Sequence, residues 1–165
     1  MNAELVLSTM NKHGVRYLLI GGMNFMLRHQ PILTYDVDLW IDDTEENRRR
    51  CEAALAALNA EWGATDDTWG PVAKKKTGWL DTQSVFCTTS PHIPVDIFRS
   101  VVGLEDWHTC WQRALQASTT AGTPYRGLSD EDMLRCQLSL SPGEQKQERI
   151  RLLQEALQRK GETNG

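Results

Sequence analysis

The sequence predicts an α/β (α+β) fold in which a small mixed β-sheet is backed by helices. Short apolar segments flanked by Gly, Pro or Asp alternate with longer segments of helical periodicity. The 165 residues suffice for one core, and no linker or repeat divides them. We therefore expect one domain over residues 1–160, closed by a C-terminal helix pair, and a frayed tail over residues 161–165.

Local sequence patterns predict each helix and strand. Apolar side chains at helical spacing predict helices over residues 3–12, 23–29, 45–58, 104–117, 133–140 and 145–160, the fourth of which could end as an edge strand. Shorter apolar segments predict strands over residues 15–20, 36–41, 84–88 and 93–98. Gly14 and Pro31 end two of the helices, and capping side chains begin others at Thr44, Ser129 and Ser141. Residues 62–78 lose all periodicity and are predicted as a mobile loop or an irregular hairpin.

Composition narrows the classes of function. The chain has 18 Lys and Arg against 22 Asp and Glu, a net charge of −4, which disfavours an autonomous nucleic-acid binder. Its four cysteines lie far apart in sequence, without the close pairs of a zinc site or a redox dithiol. No secretory leader or bilayer-length apolar run is present, so a cytoplasmic protein without a membrane partner is expected.

Two carboxylates occupy alternate positions of the second predicted strand. Alternate residues point to one face, so Asp36 and Asp38 project together while Val37 points to the opposite, apolar face. Asp96, in the apolar segment 93–98, is placed to complete the cluster. Buried carboxylates without a partner are too costly to be incidental. The three are therefore predicted as catalytic residues and as ligands of two Mg²⁺ ions about 4 Å apart.

A diglycine turn joins the first strand to the second helix. Gly21 and Gly22 allow backbone amides to approach a ligand, and the positive end of the helix dipole favours a phosphate there. Asn24 and Thr34 lie near this turn and are candidates for binding the nucleotide, although a local role in the turn is the commoner use of such residues. The pattern predicts a site for phosphate and divalent-metal chemistry.

These segments resemble the DNA polymerase β-like nucleotidyltransferase superfamily, in particular its minimal and abortive-infection-type bacterial members. The resemblance covers residues 17–41 and 95–98. It implies the nucleotidyltransferase fold and a metal-dependent enzyme that moves an NMP from an NTP, such as ATP, to a hydroxyl acceptor. The site residues that it implies are Gly21, Gly22, Asp36, Asp38 and Asp96. It also implies a toxin–antitoxin or defence setting, in which a cognate toxin or antitoxin would be the protein partner.

Two questions stay open at this point. The acceptor is a protein, a tRNA end or a small molecule such as an antibiotic. The small size and acidic balance of the chain disfavour a polymerase, so a tRNA acceptor is the one nucleic-acid partner expected. The alternative function is a catalytically silent antitoxin or binding protein with the same fold. It is motivated by Ile32 and Gln137, which stand at positions that are often basic in relatives.

Overall fold

The computed structural model describes residues 2–29 and 36–163 and contains the predicted mixture of helices and strands. The helices are α1 (Ala3–Lys12), α2 (Gly21–Arg28), α3 (Glu45–Ala57), α4 (Trp107–Arg113), α5 (Asp130–Ser139) and α6 (Gln147–Thr163). The strands are β1 (Tyr17–Ile20), β2 (Val37–Ile41), β3 (Glu61–Trp62), β4 (Gly70–Pro71), β5 (Val85–Thr88), β6 (Val95–Phe98), β7 (Leu115–Ser118) and β8 (Pro124–Gly127).

The main sheet is mixed, with the strand order β5-β6-β2-β1-β8-β7. In its centre β1 runs antiparallel to β2 and parallel to β8, while β2 runs parallel to β6. The outer strands β5 and β7 are antiparallel to their neighbours. The predicted mixed α/β sheet is confirmed, and β3 and β4 form a separate two-stranded hairpin.

Strand alternation divides the core between the two faces of the sheet. Leu19 and Leu39 pack on one face in a cluster with residues of α1 and α3. Leu18 and Trp40 pack on the other face with residues of α4, α5 and α6. Burying each large apolar side chain contributes about 1.5–3 kcal/mol, so the two clusters fix helices on both sides of the sheet. Val37 and Leu39 thus turn away from Asp38, as the alternation predicts.

The capping side chains determine where several helices begin. Thr44 accepts a hydrogen bond from the Asn47 amide at 3.2 Å, and Ser129 accepts one from the Asp132 amide at 3.1 Å. The predicted start of the last helix at residue 145 is wrong. The Gln137 side chain accepts the Lys146 amide at 2.9 Å and holds the preceding turn, so α6 begins at residue 147.

The other differences arise where local signals compete. The segment predicted as one helix over 104–117 gives a shorter helix, because the Asp106 side chain caps it at His108 and Thr109 and the chain then leaves it to form β7. The predicted edge strand at its end is confirmed. In residues 62–78 the irregular hairpin is the correct alternative, since β3 and β4 pair antiparallel. Trp62 also stacks on Trp79, with ring centroids 5.1 Å apart.

The C-terminal helix pair is confirmed, since α5 and α6 pack together. Helix α6 continues to Thr163, past the predicted end at residue 160, because a glycine inside a helix costs only about 1 kcal/mol. That the chain forms a single domain stays a prediction. No helix of the described ranges is long and apolar enough to span a bilayer.

Candidate active site

The structure brings the three predicted carboxylates together on the sheet face covered by α4, α5 and α6. Asp38 lies on β2 and pairs in register with Asp96 on its parallel neighbour β6. Asp36 precedes β2 by one residue, so it projects to the same face as Asp38. One carboxylate oxygen from each residue lies within 4.8 Å of the other two, and all three side chains are partly buried. We call these three residues the acidic triad.

The acidic triad is electrostatically strained in the absence of a cation. Burial is the largest cause that raises the pKa of Asp38, followed by the charges of Asp36 and Asp96. Burial also raises the pKa of Asp96, together with its hydrogen bond to Asp36 and the charge of that residue. The Oδ1 atom of Asp38 is buried and has no hydrogen-bond partner among the described residues. A divalent cation would satisfy this atom and neutralise the repulsion, so these residues fit a metal of the Mg²⁺ type.

The glycine turn lies directly against the acidic triad. Gly21 begins α2 immediately after β1 and has φ +70°, a conformation that favours glycine. A Cβ atom at this position would overlap the Oδ2 atom of Asp38. The N-cap residue Ile20 offers no side-chain hydrogen bond to the first turn of α2, so its amides depend on other partners. A partly exposed helix start of this kind, with Gly21 and Gly22 in its first turn, is suited to an anion.

The two remaining predicted site residues are Asn24 and Thr34. Asn24 is fully buried, and its amide nitrogen donates to the Leu128 carbonyl at 3.0 Å and contacts the Met133 sulfur at 3.2 Å. These contacts hold α2 against the chain that follows β8, and a contact of Asn24 with a nucleotide stays a prediction. Thr34 lies outside the described residues, and so does Ile32.

Two further residues near the acidic triad were not predicted from sequence. Cys87 is exposed on β5, and its backbone pairs with that of Asp96. Arg149 on α6 lines a cavity of about 110 Å³ together with Gly21 and Gln137. A helical pattern indicates which residues share a face, but the rotation of α6 over the sheet depends on packing that the sequence does not show.

The fold is that of the nucleotidyltransferases. The crystal structure of ANT(2'')-Ia in complex with adenylyl-2''-tobramycin matches with a TM-score of 0.58 and 17% identity, over 93% of this chain and 86% of that one. The solution structure of ANT(2'')-Ia, described as an antibiotic-resistance factor, matches with a TM-score of 0.60 and 16% identity, over 93% and 81%.

A second protein with this fold binds a different antibiotic. The lincomycin-bound lincosamide antibiotic adenylyltransferase LnuA matches with a TM-score of 0.60 and 14% identity, over 90% of this chain and 92% of that one. No family model and no curated protein matches the sequence. These similarities show the fold, and membership of the superfamily and of its abortive-infection subtype stays a prediction.

Proposed function

We propose that the protein is a metal-dependent nucleotidyltransferase that moves an NMP from an NTP, with ATP as the preferred donor, to a hydroxyl group of a small molecule. The observation that carries this proposal is the convergence of Asp36, Asp38 and Asp96 within 4.8 Å beside the Gly21 turn. The fold supports this proposal, because solved proteins with the same fold include an adenylyltransferase and a protein bound to an adenylylated antibiotic.

The acidic triad would divide two tasks. Asp36 and Asp38 would hold two Mg²⁺ ions, and Asp96 would complete one of the two sites. When bound, the ions polarise the acceptor hydroxyl and neutralise the charge of the triphosphate. Asp96 would also accept the proton of the acceptor hydroxyl as its oxygen bonds to the α-phosphorus.

The Gly21 and Gly22 amides would hold the phosphate oxygens during this exchange. The bond between the α-phosphorus and the oxygen bridging to the β-phosphate breaks, and pyrophosphate leaves with that electron pair. Reactions of this type need mainly positioning and charge stabilisation, which a fixed turn beside a fixed acidic triad provides. A nucleotide contact by Asn24 or Thr34 would add to this binding.

Of the three possible acceptors, a protein, a tRNA end and a small molecule, the structural similarities favour the small molecule. Proteins with this fold have been solved with an adenylylated tobramycin and with lincomycin. The net charge of −4 disfavours a polyanionic tRNA acceptor. A protein acceptor, and with it a toxin–antitoxin or defence setting, rests on the sequence resemblance alone.

Label transfer from α-labelled ATP tests the proposal. The protein would be incubated with labelled ATP, Mg²⁺ and either a panel of hydroxyl-bearing antibiotics or a bacterial lysate separated into protein, RNA and small-molecule fractions. We expect label in a small molecule, dependent on Mg²⁺, lost in Asp38→Asn and retained in Asp67→Asn, a change at an exposed aspartate of the 3₁₀ turn between β3 and β4. Label in the protein or RNA fraction would identify the other acceptors instead.

The competing function is a catalytically silent binding protein. It is favoured by Gln137, whose side-chain oxygen is occupied by the Lys146 backbone in the structure. Binding of Mg²⁺ and ATP without transfer to any fraction, together with a biological phenotype unchanged by Asp38→Asn, would establish it and overturn the enzyme proposal.

A further inference from the structure

Arg149 is a partly buried cation beside the glycine turn. It lies on α6 and lines the cavity of about 110 Å³ that also reaches Gly21. Its Nε atom is buried and has no hydrogen-bond partner among the described residues. The guanidinium carbon lies 5.4 Å from the centroid of the Phe25 ring on α2. This cation–π contact holds the guanidinium over the helix that begins at Gly21.

No carboxylate of the described residues neutralises the charge of Arg149, in contrast to the charges of Arg99 and Arg113. Arg99 binds Asp43 at 2.9 Å, and Arg113 binds the fully buried Asp132 at 2.8 Å. No salt bridge joins Arg149 to a carboxylate of the described residues. Burial lowers the pKa of Arg149 and the nearby Asp38 raises it, but a guanidinium remains protonated in proteins. A partly buried positive charge with an unsatisfied N–H is suited to an anionic ligand.

The position of this cation indicates which anion it would meet. The acidic triad on one side of Gly21 suits metal ions and repels a free anion, whereas the first turn of α2 and Arg149 both attract one. A polyphosphate is the anion compatible with both environments, because it binds metal ions through some oxygens and hydrogen-bond donors through others. A guanidinium can bind two phosphate oxygens at once.

We propose that Arg149 binds the triphosphate of the nucleotide at the Gly21 turn, through non-bridging oxygens of its β- or γ-phosphate. This inference rests on the proposed function, since it assigns the residue that recognises the donor. It also makes α6 part of the nucleotide site, in addition to its packing on α5 and the sheet.

Calorimetric titration of Arg149→Gln tests this assignment. In the presence of Mg²⁺ we expect ATP affinity to fall by about 10- to 100-fold, the range for one hydrogen-bonded charge, and AMP affinity to change by less than about 2-fold. Arg151→Gln is the matched control, because Arg151 lies on the same helix and forms salt bridges with Glu148 and Glu155 at the surface. Arg149→Lys keeps the charge but not the planar fork, so its ATP affinity should lie between those of the wild type and Arg149→Gln.

Inorganic tripolyphosphate separates this inference from the proposed function. If the wild type binds tripolyphosphate and ATP but transfers no label to any acceptor, and Arg149→Gln binds both ligands more weakly, the assignment of Arg149 holds and the transferase proposal fails. Wild-type affinity of Arg149→Gln for both ligands, or an equal loss in Arg151→Gln, would overturn the assignment alone. A wild type that binds neither ligand would overturn both. Thermal unfolding of each variant verifies that it is folded, and the lysine variant serves if the glutamine variant is not.

Discussion

The repulsion within the acidic triad predicts that removing one of its charges stabilises the metal-free protein. The perturbation is Asp38→Asn, which keeps the shape of the side chain and removes its charge. Two unit charges 4.8 Å apart repel by about 3.5 kcal/mol at an effective dielectric constant of about 20, and by about 0.9 kcal/mol in bulk water. Because the side chains are only partly buried, we expect a gain of about 2 kcal/mol in the free energy of unfolding.

The effect should depend on pH in a defined direction. The pKa of Asp38 is raised in the folded protein, so between the unfolded value near 4 and the raised value the folded state binds more protons than the unfolded state. Wild-type stability therefore falls as the pH rises through this interval and stays low above it. Asp38→Asn removes the part of this slope that Asp38 contributes, so the difference should be largest at mildly alkaline pH and small near pH 4.

Thermal unfolding in a chelator, with and without added Mg²⁺ or Mn²⁺, is the assay. A gain of about 2 kcal/mol corresponds to a rise of about 4–8 °C in Tm for a domain of this size. The metal should raise the Tm of the wild type and leave that of Asp38→Asn almost unchanged, with Asp67→Asn as the control. An unchanged or lower Tm of metal-free Asp38→Asn at alkaline pH would refute the repulsion on which the site assignment depends.

Three other predictions follow from the site and its supports. Asp96→Asn should lower kcat for label transfer by at least about 100-fold and leave ATP binding within a few-fold of wild type, which kinetics and calorimetry measure separately. Gly21→Ala should cost about 1–3 kcal/mol in urea unfolding and remove metal-dependent activity, because its Cβ meets Asp38, whereas Gly143→Ala has open space and should cost little. Asp132→Ala should cost about 1.5–3 kcal/mol in the same assay, since two partly exposed arginines would lose hydrogen bonds to their fully buried partner; a loss below about 0.5 kcal/mol would contradict this.

Local patterns were sufficient to predict the part of the site that lies on the strands. The alternation of Asp36, Val37 and Asp38 dictates which side chains share a face wherever the strand lies in the sheet. The position of Asp96 depends on strand pairing, but an aspartate inside an apolar strand is costly enough to indicate its partners. The approach of the three carboxylates could therefore be predicted from the sequence.

Features that depend on packing between distant segments could not be predicted in the same way. Arg149 lines the same cavity as Gly21 because of the way α6 packs over the sheet, and no local pattern in residues 147–163 shows that packing. The stacking of Trp62 on Trp79 orders a segment that has no periodicity of its own. In each case the decisive contact joins residues that no local pattern connects.

Because Gly21 and Asp38 are in contact, the residues that can be accepted at positions 21 and 38 depend on each other. A side chain at position 21 is excluded by the Oδ2 atom of Asp38, and this steric exclusion ends once a shorter residue replaces that aspartate, whereas the φ of +70° still favours glycine. We expect homologues that have lost the catalytic chemistry to drift at both positions, and active ones to keep the glycine and the aspartate together. Covariation of this pair would then separate working enzymes from silent copies in a set of homologous sequences.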